Sequence, residues 1–386
     1  MADEETRPAA PVVTCRQCGN EVPRLEFCIR CGDPLDDEYN AETQRQQRRR
    51  FAAAPDEPLT TVALSSLFPQ LPRAEMRYFR IALGVGVAIV VALGLLGFFP
   101  IALVAAAVLV PTLMVLYLYV TDIYEDEPLW VYAGTMLWGA LAGVIYGLVV
   151  RNLPTGSAFG GPDVPAILLA GVALPLVEGA LMIAGPLLLL RLPRFNDVLD
   201  GATFGAASAV TFSGASLLVQ SADLLGAGLR PAGDPLPWVV QLISLAVLQP
   251  VIAAGAIGAA AAAFWLRYRA PITDRHALGI VGRPWAALLG AAALLIIAGV
   301  AKATLSLIPA TIVLAAVAAV ALIWLRRAIH LGLLQESREI EVERSIACPN
   351  CGHTTPEHTF CGHCGIALRA LPRGASPKRA AKEAHQ

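Results

Sequence analysis

The chain has 386 residues, of which 56% are hydrophobic and 15% are charged, and its formal net charge is −1. Soluble globular proteins carry about 25% charged residues, so this composition excludes an ordinary soluble enzyme. The charges are concentrated in residues 1–80 and 326–386, and long apolar runs lie between these two segments. This distribution predicts a membrane core between two polar ends.

Two cysteine motifs lie near the ends of the chain. Residues 1–14 lack the apolar stretch of a signal peptide, and we expect them to be disordered. The segment 15–35 then places its cysteines in two Cys-x-x-Cys pairs, and the segment 346–368 repeats the spacing together with matched glycines, a phenylalanine and a leucine. The eight cysteines are Cys15, Cys18, Cys28, Cys31, Cys348, Cys351, Cys361 and Cys364.

This spacing predicts one zinc ion in each motif. Structural Zn²⁺ prefers four thiolates in a tetrahedron, and two residues between cysteines let one tight turn present both sulfurs. A glycine after the second cysteine relieves the left-handed turn, and Phe27 and Phe360 supply an apolar contact beneath the ion. A module of about 25 residues is too small for a sufficient core, so the metal must supply folding energy.

The alternative is two sets of disulfides, which would require an oxidising compartment. Three histidines near the second motif are interpreted as bystanders, with metal ligation as the alternative. They are His353, His358 and His363. Both motifs resemble the small zinc-ribbon family found at the ends of many bacterial proteins, and this resemblance implies a structural zinc and a docking role.

The apolar core, residues 79–328, predicts about eight transmembrane helices, since each crossing needs about 20 apolar residues. The predicted spans are 81–99, 101–120, 130–150, 166–190, 202–219, 238–266, 284–301 and 308–325. The predicted fold class is therefore an all-α polytopic membrane protein with a small β-rich zinc ribbon at each terminus.

Basic residues at the span ends predict the orientation. With the N-terminus in the cytoplasm, the inner flanks contain most of the arginines, and an even number of spans returns the C-terminus to the same side of the cell membrane. The inner arginines are Arg73, Arg77, Arg80, Arg191, Arg194, Arg267, Arg269, Arg275, Arg283, Arg326 and Arg327. The outer loops contain only Arg151, Arg230 and Lys302.

Three polar segments connect or follow these parts. Residues 36–78 and 329–345 are predicted to be linkers, and residues 369–386 a disordered basic tail. The basic run at 44–50 is interpreted as solvated, with contact to anionic lipid headgroups as the alternative. Neither ribbon is strongly basic, so nucleic acid is not an expected partner; the expected partners are the bilayer and proteins that bind the ribbons.

Glu178 is the clearest candidate for chemistry in the core, because a charge inside the bilayer is costly and tends to have a function. Pro175 loosens the helix just before it, and Gly179 and Gly185 permit close helix approach. The alternative is a structural Glu that is satisfied by a neighbouring hydroxyl or arginine.

Residues 115–265 resemble the PrsW family of intramembrane metalloproteases. The resemblance rests on the order of several short patterns rather than on a single motif. They are Tyr124-Glu125-Asp126-Glu127-Pro128 with Trp130 and Trp138-Gly139, then Pro175-Leu176-Val177-Glu178, Asp197 to Gly201 with Phe204-Gly205, Phe212, and Gln249-Pro250. The resemblance implies a membrane metalloprotease scaffold with its site on these segments.

The residues depart from the family at the positions that would perform the chemistry. Gly179 and Met182 replace the second Glu and the Lys of Glu-Glu-x-x-Lys, Ser216 replaces the Glu of Phe-x-x-x-Glu, and Gln249 replaces the His. A catalytic metal needs about three protein ligands and an open position, and residues 81–265 contain no histidine. Glu178 alone cannot both hold zinc and act as a general base.

Two other acidic groups have simple interpretations. Asp200-Gly201 is predicted to cap the fifth helix, with Asp197 at the same end of this span; a ligand role is the alternative. The run from Glu125 to Glu127 is predicted to be a solvated loop.

The favoured hypothesis is thus a non-catalytic, PrsW-like scaffold that binds partners through its ribbons. One alternative is an active intramembrane metalloprotease that uses Glu178. Another is a transporter or channel, which would need a polar pathway along residues such as Ser208, Thr211, Ser213, Gln241 and Ser244.

Overall fold

The computed structural model describes residues 12–16, 18–35, 77–121, 129–153, 164–226, 228, 235–270, 278–339 and 345–368. Within them, eight helices are long and apolar enough to span a membrane, and an antiparallel strand pair lies at each cysteine motif. The predicted fold class is confirmed. The acidic loop at 122–127, the basic run at 44–50 and the tail at 369–386 lie outside the described residues.

The eight membrane helices are numbered in chain order, and their bounds differ from the predicted spans by a few residues. They are α1 (Arg77–Leu95), α2 (Phe99–Thr121), α3 (Leu129–Arg151), α4 (Val164–Leu189), α5 (Val198–Gln220), α6 (Pro235–Tyr268), α7 (Pro284–Thr304) and α8 (Leu307–Glu339). Strand β1 (Val12–Thr14) pairs with β2 (Glu21–Pro23), and β3 (Ser345–Ala347) pairs with β4 (Thr354–Pro356).

Two boundary predictions need correction. Residues Val12–Thr14 form strand β1, so the first ribbon begins inside the segment that was predicted to be disordered. Helix α8 continues to Glu339, through most of the segment predicted as a linker. The charged residues after Leu325 do not end this helix, because glutamate, arginine and glutamine are good helix formers.

Each of two helices contains one widened π-helical turn that a proline explains. The turn Leu169–Ala173 lies in α4 just before Pro175, and the turn Ile243–Leu248 lies in α6 just before Pro250. Proline has no N–H and its ring clashes with the carbonyl four residues earlier, which here falls inside the π turn in both helices. The wider turn accommodates this clash without breaking the helix.

Helix α5 is the centre of the bundle, and every residue from 198 to 214 is buried. It packs most closely against α3 and α6. On α3, Gly139, Gly143 and Gly147 recur every four residues and therefore share one face. A methyl group at Gly143 would lie 2.4 Å from the Phe212 carbonyl oxygen, so the two backbones touch. Small residues allow this approach in a bilayer, where packing drives helix association.

A side-chain hydrogen bond joins α5 to α4. The Met182 carbonyl would normally accept from the amide of residue 186, but that residue is Pro186 and has no N–H. The Ser208 hydroxyl donates to this carbonyl at 2.7 Å. An unpaired carbonyl in hydrocarbon is costly, so this bond fixes α4 against the central helix.

The N-terminus of α5 is capped as predicted, but the N-cap residue is Asp197 and Asp200 lies in the first turn. The Leu199 amide donates to the Asp197 carboxylate at 3.1 Å, and the Asp197 amide donates to the Asp200 carboxylate at 3.0 Å. This reciprocal capping box satisfies amides that the helix itself leaves unpaired.

One buried apolar cluster shows that both polar ends of the chain lie at the same end of the bundle, which we call the ribbon end. It joins the starts of α1 and α5 to the later parts of α2, α6 and α8 and to the second cysteine motif. Its members include Phe79, Tyr117, Val198, Leu266, Ala270, Leu278, Ile329, Phe360 and Ala367. This arrangement agrees with an even number of spans.

Replacement of Gly143 by alanine tests the contact between α3 and α5. Because the added methyl group meets backbone rather than a flexible side chain, we expect a loss of about 1–3 kcal/mol in the free energy of unfolding, measured by denaturant titration in detergent. Gly134→Ala on the same helix is the control, since no atom lies within 4 Å of a methyl group there. Equal effects of the two substitutions would contradict the packing.

Candidate functional site

Each cysteine motif gathers its four sulfur atoms at one point. Within each motif the four Sγ atoms all lie within 4.8 Å of one another. The Sγ atoms of Cys15 and Cys31 are 3.5 Å apart, and those of Cys351 and Cys361 are 3.8 Å apart. These separations exceed the ~2.05 Å of a disulfide and match the ~3.8 Å edge of a tetrahedral zinc–thiolate site. The donor set therefore fits a structural zinc ion.

The local fold explains how the sulfurs converge. The Gly19 amide donates to the Cys15 carbonyl at 2.9 Å, and the Gly32 amide donates to the Cys28 carbonyl at 2.8 Å. Each bond closes a tight turn that presents two cysteines. Gly19 and Gly32 have φ values of 70° and 75°, which confirms the prediction that glycine relieves a left-handed turn.

Hydrogen bonds among the thiols shift their pKa values in opposite directions. A hydrogen bond with the Cys15 thiol lowers the pKa of Cys18, whereas another with Cys15 raises the pKa of Cys31. In the second motif, a hydrogen bond with Cys348 lowers the pKa of Cys361 and another with Cys348 raises that of Cys364. Since a metal must displace the retained protons, its affinity increases with pH.

The histidines near the second ribbon lie outside the four-sulfur group. The ring centroids of His353 and His363 lie 5.1 Å apart, and the ring planes are tilted by 31°. The Nδ1 atom of His358 accepts from the Thr359 amide at 2.8 Å. The Asn350 side chain instead donates to the Cys364 sulfur at 3.5 Å, a contact that helps to orient this ligand.

A polar cavity of about 150 Å³ lies among α4, α5, α6 and α7. Several of its residues belong to the helix ends opposite the ribbon end, among them Gln220 and Lys302. The lining residues are Glu178, Met182, Phe212, Ser213, Ser216, Leu217, Gln220, Ser221, Leu245, Gln249 and Lys302.

Three polar side chains surround Glu178 or continue its network. The half-buried Glu178 carboxylate interacts electrostatically with the Tyr146 side chain of α3 and with the positive charge of Lys302. The Lys302 ammonium also donates to the Gln249 side-chain oxygen. A cation of α7 thus interacts with both the carboxylate of α4 and the amide of α6.

Lys302 is the residue that the sequence analysis placed wrongly. It was assigned to an outer loop, but α7 continues to Thr304, and Lys302 lines the cavity from the last turn of this helix. A long aliphatic stem allows a lysine near a helix end to carry its charge some distance from its backbone. The available signal was a single lysine at the end of an apolar span.

The cavity gathers several positions of the predicted motif pattern. Glu178, Ser216 and Gln249 all line it, although they are far apart in sequence. Met182, the position of the family lysine, lines it as well. Gly179 instead faces α7, where an added methyl group would lie 2.9 Å from the Leu295 side chain. Asp197 and Asp200 belong to the helix cap at the ribbon end.

The donors in this cavity do not fit a catalytic metal ion. Such a site needs about three protein ligands, usually histidine and carboxylate, and Glu178 is the single carboxylate among the lining residues. The Ser213 hydroxyl donates to the Ala209 carbonyl at 2.8 Å, and the Gln249 oxygen is taken by Lys302. The ammonium group would also repel a divalent cation.

Comparison with known proteins supports the predicted resemblance over part of the chain. The sequence model described as PrsW family intramembrane metalloprotease matches residues 127–216. The match covers α3 and α4 and ends at Ser216 in α5, whereas the resemblance was predicted over residues 115–265. No curated protein and no solved structure matches the chain. The chain is therefore a PrsW-like multi-pass membrane protein with two cysteine clusters that can hold metal ions.

A double-mutant cycle tests the pairing of Glu178 with Lys302. Lys302→Met leaves the carboxylate without its cation, and we expect Glu178→Gln in the same background to recover part of the lost stability. The coupling free energy should be about 1–3 kcal/mol in favour of the pair, measured by unfolding of the four proteins in detergent. Strictly additive effects would show that the two charges do not interact.

Proposed function

We propose that this protein is a non-catalytic relative of the PrsW metalloproteases, with zinc in both ribbons, and that the ribbons bind protein partners. The observation that carries this proposal is the position of Lys302. Its ammonium contacts Gln249 and faces Glu178, in the cavity where the matched motif positions converge. A fixed positive charge there takes the electrostatic role that a metal ion would have.

The remaining polar groups support the same conclusion. Ser216 and Gln249 stand in place of a carboxylate and an imidazole. Among the described residues that line the cavity, only Glu178 can serve as an anionic ligand. The opposite charges of Glu178 and Lys302 cancel, and a pair of opposite charges is tolerated in a membrane far better than a single charge. The cavity is thus stable as it stands, without a bound cation.

Zinc in both ribbons is supported by the four-sulfur geometry, and a cytoplasmic position by the inner arginines and the shared ribbon end. A cytoplasmic site is reducing, which favours thiolate ligands over disulfides. In this arrangement the protein presents two metal-stabilised modules to cytoplasmic proteins from the cell membrane.

The second candidate function is an active intramembrane protease. It is favoured by one observation, which is that the retained Glu178 lies in a cavity beside the Tyr146 hydroxyl. This candidate requires a third metal ion in the core, held by ligands in addition to Glu178.

Metal analysis of the purified, intact protein separates these two functions. We expect two zinc ions per chain in the wild type and two in Glu178→Gln, because the ribbons are unchanged by this substitution. An active protease would instead bind three ions in the wild type and two in Glu178→Gln.

A complementary variant has serine at all eight cysteines. We expect it to contain no zinc, provided that circular dichroism shows the membrane helices to be intact. If it retained one ion, the core would contain a metal site and the proposal of a non-catalytic protein would be wrong.

A further inference from the structure

The two ribbons contact each other through a reciprocal pair of backbone hydrogen bonds. The Phe27 amide donates to the Gly362 carbonyl at 2.8 Å, and the Phe360 amide donates to the Ile29 carbonyl at 2.9 Å. Phe360 and Gly362 are the positions that match Phe27 and Ile29 in the repeat, 333 residues later. Each ribbon therefore offers the same donor and the same acceptor, as the two halves of a twofold-symmetric interface do.

These hydrogen bonds flank the metal-ligand positions. Phe27 and Ile29 are the neighbours of Cys28, and Phe360 and Gly362 are the neighbours of Cys361. Both cysteines are fully buried. A ligand cysteine held by metal fixes the backbone on either side of it, so an ion in one ribbon fixes the groups that bind the other ribbon.

Side chains close the same interface. Leu25 of the first ribbon packs tightly on Gly362. A methyl group added at Gly362 would lie 2.2 Å from the Cδ1 atom of Leu25. The Phe27 ring packs on Gly365, where the corresponding distance is 2.8 Å. Phe27, which was predicted to lie beneath the ion of its own ribbon, thus covers the turn of the other ribbon that contains Cys364.

From these contacts we propose that the two ribbons are one composite two-metal module, in which metal binding at either ribbon stabilises the metal site of the other. A two-stranded hairpin is only marginally stable by itself, and a ribbon of about 25 residues cannot bury a sufficient core. Pairing enlarges the shared core, and metal binding supplies folding free energy to it. This inference rests on the proposed zinc occupancy but not on the loss of protease activity.

The module also holds the two ends of the chain against the membrane core. Phe360 and Ala367 belong to the same buried cluster as Ala270, Leu278 and Ile329, which lie after α6, before α7 and in α8. Loss of metal from either ribbon should therefore loosen the whole assembly at the ribbon end and not a single terminus.

The test removes one metal and observes the other site. In full-length protein in detergent, Cys15→Ser with Cys18→Ser abolishes the first metal site without altering any residue of the interface. We expect the remaining ion to be released to a chelator at least about tenfold faster than from the wild type, equivalent to about 1.4 kcal/mol. Site-resolved amide exchange should show faster exchange at Phe360, with the amide of Phe212, which is buried in α5 of the membrane core, as the internal reference.

A second variant leaves all cysteines in place. Gly362→Ala pushes on Leu25, and we expect it to accelerate exchange at both Phe27 and Phe360. Leu25→Ala added to Gly362→Ala removes the obstructing side chain and should reverse this effect. Thr354→Ala, at an exposed position of the second ribbon, is the control and should leave both rates unchanged.

Two results would overturn the proposal. One is an unchanged release rate and unchanged Phe360 exchange after removal of the first metal site, which would mean that the ribbons are independent. The other is a wild-type chain that binds no metal, which would also refute the zinc assignment. A third ion in the core would refute only the non-catalytic function and would leave the coupling between the ribbons intact.

Discussion

The close contact of α5 with its neighbours is the constraint on which the rest of the structure depends. A bilayer offers no hydrophobic driving force between helices, so association relies on packing and on polar bonds. Glycines on α3 let its backbone touch that of α5. The Ser208 hydroxyl donates to the Met182 carbonyl of α4, which Pro186 leaves without an amide donor. Once α5 is held in this way, the positions of α4, α6 and the cavity between them follow.

In the proposed function, the cavity belongs to a PrsW-like scaffold that needs no metal ion in its core. Prolines in α4 and α6 widen one turn each, just before the residues that line the cavity. In a PrsW-like arrangement these segments would present metal ligands, but here they present Glu178 and Gln249, and Lys302 interacts with both. A carboxylate whose charge is balanced by an ammonium has little affinity left for another cation. The Lys302 ammonium therefore both balances the charge of the site and accounts for the proposed loss of catalysis.

The ribbons extend this organisation outside the membrane. Because an even number of helices returns the chain to its starting side, two ribbons separated by the whole core can meet at one end of the bundle. The reciprocal hydrogen bonds between the ribbons join matched positions of the repeat. Each ribbon therefore supplies the same donor position and the same acceptor position to the contact. A partner of this protein would therefore encounter a paired surface and not two independent modules.

The sequence by itself determined the elements whose signals are local. Runs of apolar residues determined the eight spans, cysteine spacing determined the two four-sulfur groups, and Asp197 and Asp200 determined the cap of α5. These features depend on residues close together in the chain, and periodicity or spacing therefore reveals them. The ends of elements were placed less accurately, as α8 and strand β1 show. Helix α8 continues through polar residues that favour a helix, and β1 begins before the first cysteine.

Only the tertiary structure decided which distant residues meet. It brought Lys302 from an assumed loop into the cavity, placed Gln249 beside residues of the matched segment, and joined Phe27 to Gly362 across 335 residues of sequence. The physical reason is that these contacts depend on how whole helices pack and on where a side chain points once they have packed. Neither property leaves a periodic or short-range signal in the sequence.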